Sequence, residues 1–362
     1  MKTIACVFVA CAFATACGRD AASPERVDLV SARALSDHDH GGGGSWVGGA
    51  VTFEGFALGA VHGQYDWLGL GGAGAPAPGS ACGVYDHEIA DYATVVRYPY
   101  RVSSFGQRSL RISNAVTSGC YSDQTFSSRT TNVAGQAGAR TQSSDGLIEY
   151  ALQNHFEAEW TWMSAVPDAE QPGLEVVASA ARGDDLRMSW VQMADLPQGL
   201  AIVFAERSDP ASPGAFQRSI VARGLDRRSA HTIKLTMDFV DGPANDVVRV
   251  YVDGALRHTG TSWENYYAYD ANGSANFGGA PPAVNRIMFR TGSDSHRGIP
   301  GDPAPATRGR GFVIDNLRQT TFMVATSSDA CKDSGWRRVR DANGAPFKNQ
   351  GDCVRWVRHA SR

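Results

Sequence analysis

The sequence has no apolar run long enough to cross a membrane as a helix, so a hydrophobic span is excluded. Charge is sparse: 20% of residues are Asp, Glu, Lys or Arg, and the formal net charge is −3. That excludes a chain-wide basic field of the kind that holds nucleic acid. No C-x-x-C pair occurs and the histidines do not cluster near the cysteines, so no zinc site on cysteine is expected. There is also no G-x-S-x-G, no H-E-x-x-H, no phosphate-binding loop and no dinucleotide fingerprint. Esterase, zinc-protease, nucleotide-hydrolysing and nicotinamide chemistries therefore have no footing. No long stretch shows a helical period.

What is there begins with an export signal over residues 1–16. Lys2 supplies the positive start, Ile4 to Phe13 a short apolar segment, and Ala14-Thr15-Ala16 the small residues before Cys17. This ending resembles the lipobox of bacterial lipoproteins, with Ala14 in place of the usual Leu. The resemblance implies acylation of Cys17 and membrane attachment through the lipid only; a soluble export signal cut nearby is the other reading. Residues 17–45 read as a flexible tether, because Pro24, small and charged residues and the run Gly41 to Gly44 cannot bury enough apolar surface to fold. Asp37-His38-Asp39-His40 within it offers metal ligands but no scaffold to fix them.

Of seven cysteines, Cys6 and Cys11 fall in the signal and Cys17 takes the lipid. Cys82, Cys120, Cys331 and Cys353 remain, an even number that reads as disulfides in an oxidising compartment. Three pairings are open. Proximity favours Cys82–Cys120 and Cys331–Cys353, each closing a local loop.

From Val51 onward the pattern is of strands. Val95 to Tyr98, Ser109 to Ser113, His155 to Trp162, Leu186 to Met193, Leu200 to Ala205, Thr232 to Phe239, Val247 to Val252, Arg286 to Arg290 and Gly311 to Leu317 are rich in β-branched and aromatic residues. Turn pairs such as Pro172-Gly173, Asp253-Gly254 and Asn272-Gly273 separate them. Many short strands at this spacing predict an all-β sandwich or jelly roll. In His231 to Phe239, Ile233, Leu235, Met237 and Phe239 share one face and the polar residues the other, so one face packs and one is wetted.

The stretch HTIKLTMDFVDGPANDVVRVYVDGALRHTGTSWENYY resembles the V-x-V-Y-V-D-G hairpin of concanavalin A-like, laminin-G-like jelly rolls. VTFEGFALGAVHGQYDW and GRGFVIDNLRQTT are similar to the opening and closing of bacterial jelly-roll modules, and FGQRSLRISNAVTSGCYSDQTFS is similar to stretches of exported bacterial proteins. The resemblance spans residues 50–322. It implies a concanavalin A-like jelly-roll sandwich over 46–325 and leaves function open among lectins, glucanases, lyases and adhesion modules. It also implies a structural calcium shared by Glu54 of the opening strand and Asp315 of the closing strand, with Asp66 able to join. The other reading of Asp315 and Asn316 is that they cap the terminal strand.

Residues 326–362 form a second, small unit, which Cys331–Cys353 would staple. It resembles a short cysteine-bracketed C-terminal motif of exported bacterial proteins. Lys332, Arg337, Arg338, Arg340, Lys348, Arg355, Arg358 and Arg362 outnumber Asp333, Asp341 and Asp352. The excess reads either as contact with anionic envelope polymers or lipid headgroups, or as a solvated face.

Two further groups carry possible chemistry. His155, Glu157, Glu159 and Thr161 share one strand face, so Glu157 and Glu159 form a carboxylate pair. Residues two apart on a strand lie about 6.6–6.8 Å apart at the backbone, a spacing that does not exclude glycosidase chemistry. The third acid of laminarinase-type arrays is missing, as are the Arg, Gln-x-His and Tyr-rich strand of alginate-lyase-type jelly rolls. Trp263, Glu264, Asn265, Tyr266, Tyr267 and Tyr269 fall in one loop, a stacking platform with polar neighbours for a sugar, or else a plug for the end of the sandwich. The expectation is a non-catalytic glycan-binding or adhesion module of the bacterial envelope, with a polysaccharide or glycoconjugate as partner. The alternatives are a polysaccharide-active enzyme (glycoside hydrolase or lyase) using Glu157 and Glu159, and a structural envelope lipoprotein.

Overall fold

Asp253-Gly254 needs positive φ at both residues to turn a two-residue hairpin with the twist of its strands. In the computed structural model Asp253 has φ 51° and Gly254 φ 77°, and Val252 pairs with Ala255. The structure describes residues 46–47, 50–65, 67–70, 86–113, 124–128, 130, 139–143, 146–150, 153–182, 187–207, 216–240, 242–269, 284–291 and 310–360. The signal, Cys17, the tether and its His-Asp run, Asp66, Cys82 and Cys120 lie outside the described residues, and with them the Cys82–Cys120 pairing.

In chain order the described residues form β1 (Trp46–Val47), β2 (Ala50–Val51), β3 (Gly59–Ala60), β4 (Leu68–Leu70), β5 (His87–Asp91), a one-turn helix α1 (Tyr92–Val95), β6 (Arg108–Ile112), β7 (Gln124–Phe126), β8 (Ala139–Ser143), β9 (Gly146–Tyr150) and β10 (His155–Ser164). They continue with β11 (Glu175–Arg182), β12 (Trp190–Leu196), β13 (Gly199–Glu206), β14 (Gln217–Leu225), β15 (His231–Asp238), β16 (Val247–Val252), β17 (Ala255–Gly260), β18 (Val284–Arg290), β19 (Phe312–Phe322) and a helix α2 (Gln350–Ala360). All strand pairs are antiparallel. A ten-stranded sheet runs β17-β16-β15-β10-β19-β6-β5-β3, with β2 on β19 and β1 on β2; a seven-stranded sheet runs β14-β13-β12-β11-β18-β7-β4. The described residues form an all-β jelly-roll sandwich with a small disulfide-stapled C-terminal unit.

The core lies between the two sheets. From β10, Phe156, Ala158, Trp160 and Trp162 are buried, while Glu157, Glu159 and Thr161 stay half-buried on the outward face. β15 adds Ile233, Leu235 and Met237, and β16 adds Val248, Val250 and Val252. Opposite them stand Val176, Ala178 and Ala180 of β11 and Ile287 and Phe289 of β18. Trp160 meets Phe289 edge-on across the gap, with ring centroids 5.9 Å apart.

Two expectations are corrected. Val95 to Tyr98 is not a strand: Asp91 accepts the Ala93 N–H and caps α1, and the pairing strand is β5, just before it. No long stretch of the sequence shows a helical period, yet the C-terminal unit contains a helix of about three turns. Asn349 Oδ1 accepts the Asp352 N–H at 2.9 Å and starts α2, which buries Cys353 and Val357, one turn apart. Cys331 and Cys353 are bonded, with Cα atoms 5.8 Å apart, inside a separate core with Ala325, Val339, Phe347 and Val357. Among the described residues no helix is long and apolar enough to cross a membrane.

Candidate functional site

β10 carries the first candidate on its outward face. His155 is 5% exposed and both its ring nitrogens meet carboxylates: Nδ1 lies 2.6 Å from Asp238 of β15, and Nε2 lies 3.1 Å from Glu157. Lys234 Nζ lies 2.9 Å from the other Glu157 oxygen, and Arg249 of β16 pairs with Asp238 at 2.5 Å. Burial alone would push the His155 pKa down; the hydrogen bonds that Asp238 and Glu157 accept from it, with their charges, outweigh burial and raise it. His155 and Lys234 together hold the Glu157 carboxyl below its ordinary range against partial burial. Glu159, one step along the same face, stands opposite Lys234 and Arg318 in the register and has no hydrogen bond or ion pair among the described residues. The two glutamates share a face as expected, but not an environment. Sequence reading missed Asp238, because the pairing of β10 with β15 sets it beside His155.

The second candidate is Glu54 with Asp315, which the structure brings together. Glu54 sits in a turn after β2 rather than in the first strand. Asp315 lies in β19, where Asn316 and Leu317 both oppose Trp160, a bulge that places Asn316 at φ 54°. Asp315 is fully buried; its two oxygens accept the N–H groups of Gly106 at 3.2 Å and Asn316 at 2.7 Å. Glu54 Oε1 accepts those of Gln107 at 2.5 Å and Arg108 at 3.2 Å. Burial, then the nearby Glu54 charge, push the Asp315 pKa up to about 7 against these hydrogen bonds. An excess of negative charge at a buried acid suits a hard cation. Two carboxylates supply only part of the six to eight oxygens calcium takes, and among the described residues no group of three His, Cys, Asp or Glu gathers around a metal-sized space. Backbone carbonyls would supply the rest.

The third candidate, the aromatic loop, is closed. Trp263 is 2% exposed, Tyr267 4%, Asn265 2% and Glu264 7%. Trp263 Nε1 donates to the Ala205 carbonyl at 3.0 Å, and its ring packs in the core beside Trp190. The Arg207 guanidinium lies over Phe216 at 3.9 Å and Tyr266 at 3.7 Å, sealing that end. The Tyr269 side chain lies outside the described residues. Among the described residues, Trp263 and Tyr267 plug the sandwich, and Tyr266 is half-buried beneath Arg207.

Sequence reading also missed a buried ion pair: Arg111 of β6 reaches Asp86 and, cross-strand, Glu88 of β5, while Ser113 donates to Asp86 at 2.6 Å. Arg111 set between Leu110 and Ile112 was the available signal.

No protein-family model matches the sequence, and no curated protein matches it. Solved structures do resemble it. A sialidase shares 11% identity over 59% of this chain and 16% of its own, with TM-score 0.29. An endo-β-1,4-glucuronan lyase from the fungus Trichoderma reesei shares 14% over 64% of this chain and 86% of its own, with TM-score 0.28. An alginate lyase from Pseudomonas aeruginosa shares 11% over 63% and 88%, with TM-score 0.32. The expectation of a non-catalytic glycan-binding or adhesion module is corrected: Trp263, Glu264, Asn265 and Tyr267 of the loop that carried it are buried.

Proposed function

We propose that the chain is a polysaccharide-active enzyme, with Glu157 and Glu159 on the outward face of the ten-stranded sheet as its carboxylates. The observation that carries this is the inequality of the pair. Glycoside cleavage needs one carboxyl held ionised and one able to carry a proton. Glu157 is held ionised by His155 and Lys234 and fits the first role. Glu159 stands on the same face outside that clamp, opposite Lys234 and Arg318, as the second carboxylate of the pair. His155, tied at both nitrogens, positions Glu157 and is not a free base.

The export signal and the small residues before Cys17 support a lipid-anchored protein of the bacterial envelope. The Glu54–Asp315 pair supports a structural calcium that ties the chain's opening turn to its last strand.

The test is incubation with a panel of neutral and acidic polysaccharides, read by new reducing ends and by the ultraviolet absorbance of unsaturated products. Hydrolysis gives the first signal alone and elimination gives both. Glu157→Gln is expected to abolish turnover with the fold intact by circular dichroism. Turnover undiminished in Glu157→Gln, or no product from any polymer, overturns the proposal.

A further inference from the structure

The stapled unit has a charge that the site above does not use. Residues 326–362 hold eight Lys and Arg against four Asp, an excess of four positive charges in a chain whose net charge is −3. Three of the four acids are already engaged. Asp329 pairs with Lys332 at 2.7 Å. Asp341 accepts the N–H groups of Asn343 and Ala345 in a turn, and Asp352 that of Lys348. Arg355 and Arg358 are exposed and have no hydrogen bond or ion pair among the described residues. They are three residues apart on α2, so both point from one side of the helix. With Gln350, Gly351, Val354 and His359 they line an open cleft of about 560 Å³ along that side.

We infer that this face of α2 is a docking surface for an acidic polysaccharide, one bearing carboxylates or sulfates along its chain. Guanidinium groups bind such anions through two parallel hydrogen bonds, and a row of them suits a polymer with repeated charge. A bilayer fits less well. A helix that lies in a membrane surface inserts an apolar face, whereas α2 spends its own on Cys353 and Val357 in the unit's core. None of the exposed large hydrophobic residues lies within 326–360. The unit also continues directly from β19, whose last residue, Phe322, packs on His155 with ring centroids 4.4 Å apart. Asn154, next to β10, clasps Val324 through two hydrogen bonds of 3.1 and 2.6 Å. A polymer held on α2 is thus retained by a unit rooted at one end of the strand that carries Glu157.

As a statement about substrate class the inference rests on the enzyme reading, but its test measures binding and needs no turnover. The full chain and an Arg355→Glu/Arg358→Glu variant are run in native gels containing alginate or a neutral β-glucan, at low and high salt. Both are also sedimented with vesicles of phosphatidylglycerol and phosphatidylcholine. Alginate is expected to retard the wild type, salt to weaken the effect, the β-glucan to have none, and the variant to bind alginate about tenfold or more weakly. Melting temperature and resistance of the disulfide to thiol reagents report the variant's fold, and Arg355→Gln/Arg358→Gln replaces it if the fold is lost. Equal alginate binding by wild type and variant overturns the inference. So does equal retardation by β-glucan, or a loss confined to vesicles, which assigns the face to lipid. Charge-dependent alginate binding without turnover of any polymer keeps the docking surface and rejects the enzyme; turnover of a neutral glycan with no alginate binding does the reverse.

Discussion

Glu54 and Asp315 hold adjacent backbone amides: Asp315 accepts from Gly106 and Glu54 from Gln107. Two acids from opposite ends of the jelly roll thereby pin one loop, and each brings a negative charge to the other. The pH dependence follows. Asp315 has its pKa raised from 3.8 to about 7, so the folded state binds more protons than the unfolded chain between those values. Stability therefore falls as pH rises from about 4 to about 7, by on the order of a few kcal/mol in chelator. Asp315→Asn is expected to flatten that fall. Calcium is expected to flatten it in the wild type and to stabilise by about 2.7 kcal/mol at one hundred times its dissociation constant. Calorimetric melting across pH, with calcium and with chelator, checks both; an unchanged melting temperature on chelation removes calcium from the site.

His155 has the opposite sign. Its pKa lies above 6.5, so the stability it adds is complete below about pH 6.5 and is lost as pH rises through its folded value. His155→Gln is expected to cost about 1–2 kcal/mol at pH 6 and less at pH 9. The figure is kept low because Glu157 and Asp238 are 27% and 33% exposed and partly screened by water. Urea titrations at the two pH values give the comparison, and an equal cost at both contradicts the charged histidine.

Trp263→Ala is expected to act on stability. Removing a large ring that is 2% exposed and hydrogen-bonded to Ala205 leaves a cavity worth about 3–5 kcal/mol. A melting temperature within a degree or two of wild type would show the ring to be dispensable to the core.

Loss of the Cys331–Cys353 bond frees a loop with a sequence separation of 22, worth about 3 kcal/mol in the chain-entropy account. Cys331→Ser/Cys353→Ser is expected to open residues 326–360 to proteolysis while the jelly roll stays intact. Cleavage sites mapped by mass spectrometry locate the effect, and an uncleaved tail argues that the small core suffices without its staple.

The inward row Phe156, Ala158, Trp160, Trp162 was legible because alternation survives in the sequence, and so was the hairpin at Asp253-Gly254. Glu54 and Asp315 could be paired only through resemblance to other jelly rolls, since no local pattern links them. The aromatic loop misled because a Trp and Tyr cluster looks the same in sequence whether its rings face solvent or core; Ala205 and Arg207, which settle it, belong to β13 and its exit. The inequality of Glu157 and Glu159 depends on Lys234 and Asp238 of β15, which no reading of β10 alone contains.

β19 is the last strand in chain order, yet it stands in the interior of the ten-stranded sheet, between β10 and β6. The strands on its two sides have no hydrogen-bonded neighbour in common until it arrives. During synthesis the sheet therefore cannot close while the chain is still being delivered, and its long-range pairing comes late. A chain built this way keeps β10 and β6 without their shared neighbour until its final described strand is released.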